Sequence, residues 1–303
     1  MIKRIIEVSN PAYLHLKDRQ MIVQIDGEGD SSVPVEDMGI LILANPSISI
    51  SQGLVAACQE NNCIVVFCDR SHMPVSVLLP LSGNSVHSKV LNTQTGIKKP
   101  LKKRLWQKII IAKTEAQIQT LLFFNKETKS LPSLKRRVQS GDTTNIEAQA
   151  AKMYWSLLFG KGFVRDFKKS GVNSLLNYGY SMVRASVARA LCGTGLHPAL
   201  GIHHHNQYNP MCLADDIIEP LRPLVDRRVY EMNESGVTEL DTKAKTSLLY
   251  LLSEEVLFEQ KKLPLMVATQ HMAASLKKAF SEEESDFLKI PTLIENRQLR
   301  LEV

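Results

Sequence analysis

The chain has 303 residues, 44% of them apolar, with a formal net charge of +6 and an isoelectric point near 9.0. That apolar share is enough for one large domain or two modest ones, and the positive surplus favours anionic partners without amounting to a polycationic tail. Cys58, Cys63, Cys68, Cys192 and Cys212 are odd in number, scattered, and form no paired CxxC units, which argues against a disulfide framework or a zinc ribbon.

The opening Met1-Ile2-Lys3-Arg4-Ile5-Ile6 alternates like a strand and lacks a signal-peptide core. No apolar run approaches the ~20 residues of a membrane span, so a soluble, cytoplasmic protein is expected. Short β-branched or alternating runs predict strands over 2–8, 13–16, 21–25, 39–43, 64–68 and 75–79. Asn10-Pro11, Asp26-Gly27, Gly29-Asp30 and Asn45-Pro46 separate them. One helix fits 51–60, capped by Ser49 or Ser51. Residues 1–82 therefore read as a small β-rich domain.

The turn-forming Leu81-Ser82-Gly83-Asn84-Ser85 predicts a linker, placed at 83–89. From there to residue 303 the period is helical. Leu101, Leu105, Ile109, Ala112, Ala116, Ile118 and Leu122 recur on one side of a long helix. Further helices are predicted over 144–159, 174–191, 216–232 and 242–260. Pro220 and Pro223 should kink or split the third of these, because each removes a backbone donor. From Glu282-Glu283-Glu284 onward the chain reads as a loosely attached end. The expected fold class is α+β, a small N-terminal β domain followed by a larger all-α domain.

Candidate chemistry lies in the helical part. Gly201-Ile202-His203-His204-His205 precedes Leu213-Ala214-Asp215-Asp216-Ile217-Ile218-Glu219-Pro220, and Glu147 lies upstream. Thr144 to Glu147 matches a capping box, in which the Glu reaches back to the cap residue. Glu147 also borders the apolar stripe of Ile146, Ala150, Met153, Leu157 and Leu158, where it can face a cleft instead. Three adjacent histidines cannot all face one point, so one or two serve a cation or the tract is a polar loop. His197 opens a zinc reading, although paired zinc ligands are usually three to five residues apart. Asp216 and Glu219 share a helical face. Asp215 and Asp216 equally suit a helix N-terminus, an account that leaves Glu219 unexplained. Two carboxylates and one imidazole together suit Mg²⁺ or Mn²⁺, with waters and phosphate oxygens completing an octahedron at about 2.1 Å. Such an ion polarises a scissile phosphorus and stabilises the leaving oxygen.

These segments carry a resemblance. Ile5-Ile6-Glu7-Val8-Ser9-Asn10-Pro11, Val65-Val66-Phe67-Cys68-Asp69, Arg104-Leu105-Trp106-Gln107-Lys108-Ile109, Asn145-Ile146-Glu147-Ala148 and Leu176-Asn177-Tyr178-Gly179-Tyr180 occur in that order. They are followed by the histidine and Asp-Glu motifs, and the chain resembles the CRISPR-associated adaptation integrase family, in the form found beside type II effector nucleases. The resemblance implies a prokaryotic DNA endonuclease and integrase that inserts short foreign DNA into a CRISPR repeat array. A 3′-hydroxyl of the fragment attacks a repeat-boundary phosphodiester, once on each strand. It also implies metal ligands and catalytic residues at Glu147, His204 and Glu219, with Asp216 as an adjacent acid. The last ligand is Asp in several relatives. The implied partners are double-stranded DNA, a second copy of the chain, and the small second adaptation protein in a heterohexamer. The sequence does not say whether the type II effector nuclease and an accessory DNA-ring protein are required as well.

Lys98, Lys99, Lys102, Lys103, Arg104 and Lys108 form the densest basic run around Trp106, with Lys135-Arg136-Arg137 and Lys168-Lys169 beyond it. Each is a solvated face or a phosphate contact. Motif proximity points Arg165, Arg184, Arg189 and Arg222 at the scissile strand, and Tyr178 and Tyr180 either stack on a splayed base or belong to the core. The rival readings are a branched-DNA repair nuclease or resolvase, a non-catalytic architectural DNA binder whose acids cap helices, and a zinc-stabilised scaffold.

Overall fold

The computed structural model describes residues 3–70, 72–80 and 83–294. The N-terminal part holds strands β1 (Arg4–Val8), β2 (Tyr13–Lys17), β3 (Gln20–Gln24), β4 (Ser31–Pro34), β5 (Met38–Leu43), β6 (Ser49–Ile50), β7 (Ile64–Cys68) and β8 (Pro74–Leu78), with helix α1 (Gln52–Glu60) between β6 and β7. The Ser51 hydroxyl accepts from the Leu54 N–H at 3.3 Å and so caps α1. β4 and β6 are too short and polar to have shown a period. Residue 2, where the first strand was predicted to begin, lies outside the described residues.

Two four-stranded sheets result. One runs β1-β5-β7-β8, parallel except for β8; the other runs β4-β3-β2-β6, antiparallel except for the β2–β6 pair. Alternate strand residues face opposite ways, and both faces of the first sheet are covered. Leu41, Leu43 and Val65 pack with Leu14, Met21, Leu54, Cys58 and Cys63. Ile40, Ile42, Ile64 and Val66 join the helical core. This double burial explains why all six residues of β5 are buried and why its sequence does not alternate.

The helical part comprises α2 (His87–Thr95), α3 (Lys99–Phe123), α4 (Leu131–Arg136), α5 (Ile146–Phe159), α6 (Val172–Thr194), α7 (Cys212–Ile218), α8 (Arg222–Glu234) and α9 (Thr242–Tyr250). A hairpin of β9 (Glu255–Phe258) and β10 (Lys261–Pro264) follows, then α10 (Leu265–Ser281). α6 is buried along most of its length among α7, α8, α9 and α10. Its Gly179 lets α8 come close: a Cβ there would overlap the Val225 side chain.

The structure corrects several element predictions. The helix expected over 242–260 stops at Tyr250, because Glu255–Phe258 and Lys261–Pro264 pair as strands across Glu259 and Gln260, both at positive φ. α4 and α10 had not been predicted. Leu122 is 57% exposed, whereas Lys113, Thr114, Gln117 and Thr120 are buried, so α3 turns a polar stripe inward. Of the proposed linker, Leu81 and Ser82 lie outside the described residues. Asn84 bonds the Gly193 carbonyl at 3.2 Å and α2 begins at His87, so the remainder is docked. The acidic end is not loose through residue 294. Leu288 and Leu293 are buried, and Thr292 pairs with Leu257 through bonds of 2.8 and 2.9 Å.

Candidate metal centre and nucleic-acid face

The site forms where α3, α5 and the α7–α8 junction meet. Pro220 and Pro223 split the predicted 216–232 helix, leaving Glu219–Leu221 as a single 3₁₀ turn between α7 and α8. That turn aims Glu219 inward, where it is 4% exposed. Glu147 sits in the first turn of α5, but it caps nothing. The cap is Asn145, whose side chain accepts from the Ala148 N–H, while Asp142 takes the Ile146 and Glu147 N–H groups at 2.8 and 2.9 Å. The Glu147 carboxylate is thereby free to turn toward Glu219.

Both acids meet one cation. Lys113 Nζ, from the polar stripe of α3, lies 2.6 Å from Glu147 Oε1 and 2.5 Å from Glu219 Oε2. The other oxygen of Glu219 accepts from Arg222 Nε at 2.8 Å. Burial disfavours the charged carboxylate of Glu219, but Arg222 and Lys113 outweigh it and hold its pKa down to about 2. Burial likewise disfavours the Lys113 ammonium, and here Glu219 and then Glu147 outweigh it and raise the pKa.

His204 lies on the loop before α7, and Asp216 holds that loop. The fully buried Asp216 carboxylate accepts the backbone N–H groups of Ile202, His203 and His204 at 2.6, 3.0 and 3.1 Å, and meets His204 Nδ1 at 2.7 Å. Asp216 stands inside α7, so it is no helix cap. Its bond to the ring, opposed by burial, raises the His204 pKa. It also places the shared proton on the Nδ1 side, leaving Nε2 as the lone-pair nitrogen when the ring is neutral. His203 stacks flat on Trp106, with ring centroids 4.1 Å apart and planes at 2°, which anchors the loop from its other side. Gly201 is required at the crossing, since a Cβ would collide with the His204 carbonyl. His205 turns its Nδ1 to the His203 carbonyl, and His197 Nδ1 accepts from the Ala199 N–H.

Among the described residues, no three His, Cys, Asp or Glu side chains already stand as a metal cluster. Glu147 and Glu219 nevertheless converge on one cation position, which Lys113 fills. The two acids line a cleft of about 190 Å³ together with Lys113, Arg165, Tyr180 and Arg222. His204 lines a different cleft, of about 550 Å³, with Lys99, Lys102, Lys103 and Trp106, and is linked to the acids only through the charge of Glu219, which acts on its ring. The donors that the structure brings together are two carboxylates, a chemistry that suits a hard divalent ion.

The predicted DNA contacts divide. Lys103 and Arg104 are exposed, and Lys102, which lines the His204 cleft with Lys103, donates to the Gly201 carbonyl at 3.2 Å. Arg165, Arg184 and Arg222 line a third cavity, about 620 Å³, with Lys168 and Lys169, whereas Arg189, predicted with them, is buried and donates to the Asn62 carbonyl at 2.7 Å, out of reach of a strand. Arg165 is fastened to the Asn173 and Asn177 side chains, and Arg184 faces Asp215 at 3.5 Å. The tyrosines must be corrected as stacking platforms. Tyr178 is fully buried, and Tyr180 is 7% exposed with the Arg165 and Arg222 guanidiniums 5.4 and 4.6 Å from its ring centroid. Neither ring has a face free for a base.

Sequence reading missed Lys113 and Asp226. Asp226 is buried and accepts hydroxyl hydrogen bonds from Tyr154, at 2.9 Å, and from Tyr180. Burial pushes its carboxyl up to about 7, against the pull of the two hydroxyls, Arg222 and Arg165. An unfolded Asp titrates near 3.9, so between about pH 4 and 7 the folded chain keeps a proton that the unfolded chain releases. This contribution is full below pH 4 and lost as pH rises through 7. Between pH 4.5 and 7.5 the wild type is expected to lose roughly 3 kcal/mol relative to Asp226→Asn, read from urea midpoints. Parallel pH profiles for the two proteins would refute this.

Known proteins match this fold and this sequence. The family model described as CRISPR associated protein Cas1 matches residues 6–257. CRISPR-associated endonuclease Cas1 of Neisseria meningitidis serogroup C (strain 8013) is 36% identical over 310 residues, covering 100% of both chains. A casposase bound to its integration product superposes with a TM-score of 0.77 at 17% identity, over 93% of this chain and 91% of that one. A Cas6-RT-Cas1–Cas2 complex chain gives 0.76 at 16% identity, over 95% of this chain and 36% of that one. At such identities the two structures establish the fold alone.

Proposed function

Since the chain belongs to the Cas1 family of CRISPR-associated endonucleases, we propose that it integrates short foreign DNA into a CRISPR repeat array. The cation is Mg²⁺ or Mn²⁺, held by Glu147, His204 and Glu219. One observation carries this reading: two carboxylates 72 positions apart in sequence close on a single cation position, and the charge of Glu219 reaches the Asp216-oriented His204 ring. When bound, the ion supplies Lewis acidity at the scissile phosphate.

The chain's own residues supply the rest. Glu147 and Glu219 offer charged oxygens, and Arg222 keeps Glu219 ionised and aimed. Asp216 sets the His204 tautomer and the position of its loop. Arg165, Lys168, Lys169 and Arg184 line the adjoining cavity, where phosphates of the scissile strand would lie. Lys102 and Lys103 line the His204 cleft, a second set of cations for the DNA backbone, and Arg104 is exposed for a further phosphate. A 3′-hydroxyl of the fragment attacks a repeat-boundary phosphorus and the broken strand leaves with its own 3′-oxygen. Each event exchanges one P–O bond for another, so no nucleotide cofactor is consumed. The chain acts in the cytoplasm as a homodimer, two dimers flanking a dimer of the second adaptation protein, Cas2. The Cas1–Cas2 complex among its structural neighbours supports that partner.

A short duplex incubated with the chain, Cas2 and a repeat-bearing plasmid tests the reading. Joined product is expected in Mn²⁺ and none in EDTA. Cleavage of branched DNA without any joining would favour a repair nuclease instead, and product in EDTA would remove the metal from the mechanism.

A further inference from the structure

We propose that Lys113 is an internal counter-cation of this site: its ammonium holds Glu147 and Glu219 together when no divalent ion is present, and it is displaced when one binds. The inference rests on reading those two acids as the cation-holding pair.

The geometry points to a placeholder rather than to a surface salt bridge. Lys113 is 9% exposed, and its ammonium lies 2.6 and 2.5 Å from carboxylates on two different elements, between them rather than beside either. Its approach to Glu219 Oε2 is an ion-pair contact without hydrogen-bond alignment. Arg222, the other cation at Glu219, is committed to the second Glu219 oxygen and reaches Tyr180 as well. Removing Lys113 therefore leaves Glu147 and Glu219 facing one another with no cation between them, an arrangement that like charge disfavours. A divalent ion cannot take both carboxylates while an ammonium stands between them, so metal binding must move Lys113. The lysine stem is flexible and the cleft beside it is open, with Gln117 and Ala151 on its walls. Its cost is weaker metal binding, and its gain is an apo site that does not fly apart.

Isothermal titration of the full-length chain with Mn²⁺, together with thermal melts in EDTA and in saturating Mn²⁺, tests this for Lys113→Met and Lys113→Gln. Both variants should bind Mn²⁺ at least about tenfold more tightly than wild type. Both should melt below wild type in EDTA, with Mn²⁺ closing the gap. A variant that folds only in Mn²⁺ would support the same conclusion. Equal or weaker Mn²⁺ affinity in the variants overturns the displacement while leaving the metal site intact. Failure of wild type and variants alike to bind Mn²⁺ overturns the metal reading itself, and this inference with it.

Discussion

Glu147→Gln is expected to cut DNA joining by about 10³-fold while leaving the urea midpoint almost unchanged. Losing several kcal/mol of charge stabilisation at the reacting phosphate corresponds to that factor. Stability is spared because Glu147 is only half-buried and caps no helix; Asn145 and Asp142 do that work. Lys113 keeps Glu219 as its counter-ion in the variant. Glu219→Gln makes the contrast. It would strip the buried Arg222 and Lys113 of their shared anion, and breaking a buried pair costs roughly 3–5 kcal/mol, so both activity and stability should fall. Integration assays and urea melts on the two purified proteins check the pair. Joining by Glu147→Gln at the wild-type rate would remove Glu147 from the chemistry.

Asp216→Asn should be the most damaging change near the histidine loop. One carboxylate accepts three backbone N–H groups and the His204 ring. An amide presents a single acceptor oxygen and turns two N–H donors toward the remaining donors. With buried donors left unpaired, a loss of roughly 3 kcal/mol is expected in urea unfolding. Joining should fall in parallel, because the loop no longer holds His204 in place. Loss of the carboxylate also removes the main cause that raises the His204 pKa. The raised value stabilises the folded chain below the unfolded imidazole's ordinary 6.5 and is lost as pH rises through the folded value, a dependence that should vanish in the variant. An NMR titration of the His204 ring reads it directly. An unmoved His204 pKa, or wild-type joining, would show that Asp216 does not position the ring.

These variants probe parts of the site that local sequence described unequally. Glu147 fits a capping box by spacing, and nothing within four residues distinguishes that role from facing a cleft. The structure decides it because Asp142, at positive φ, folds back onto the first turn of α5 and takes the N–H groups first. Lys113 was illegible for a related reason. A lysine, a glutamine and a threonine at 113, 117 and 120 read as the wet side of an amphipathic helix, and only the approach of α5 and of the Glu219 turn makes that side an interior.

What the amino-acid sequence determined by itself is local or cumulative. Strand runs such as Ile64–Cys68, the cap at Ser51, the break at Pro220 and Pro223, and the ordered motifs of the family all follow from dihedral preference, period and spacing. What only the tertiary structure decided is which polar groups share a volume: Lys113 between two acids, Asp216 around the His204 loop, Asp226 beneath two tyrosines. The energy of a buried charge depends on every neighbour within a few ångströms, and those neighbours come from segments tens of residues apart. No window along the chain contains them.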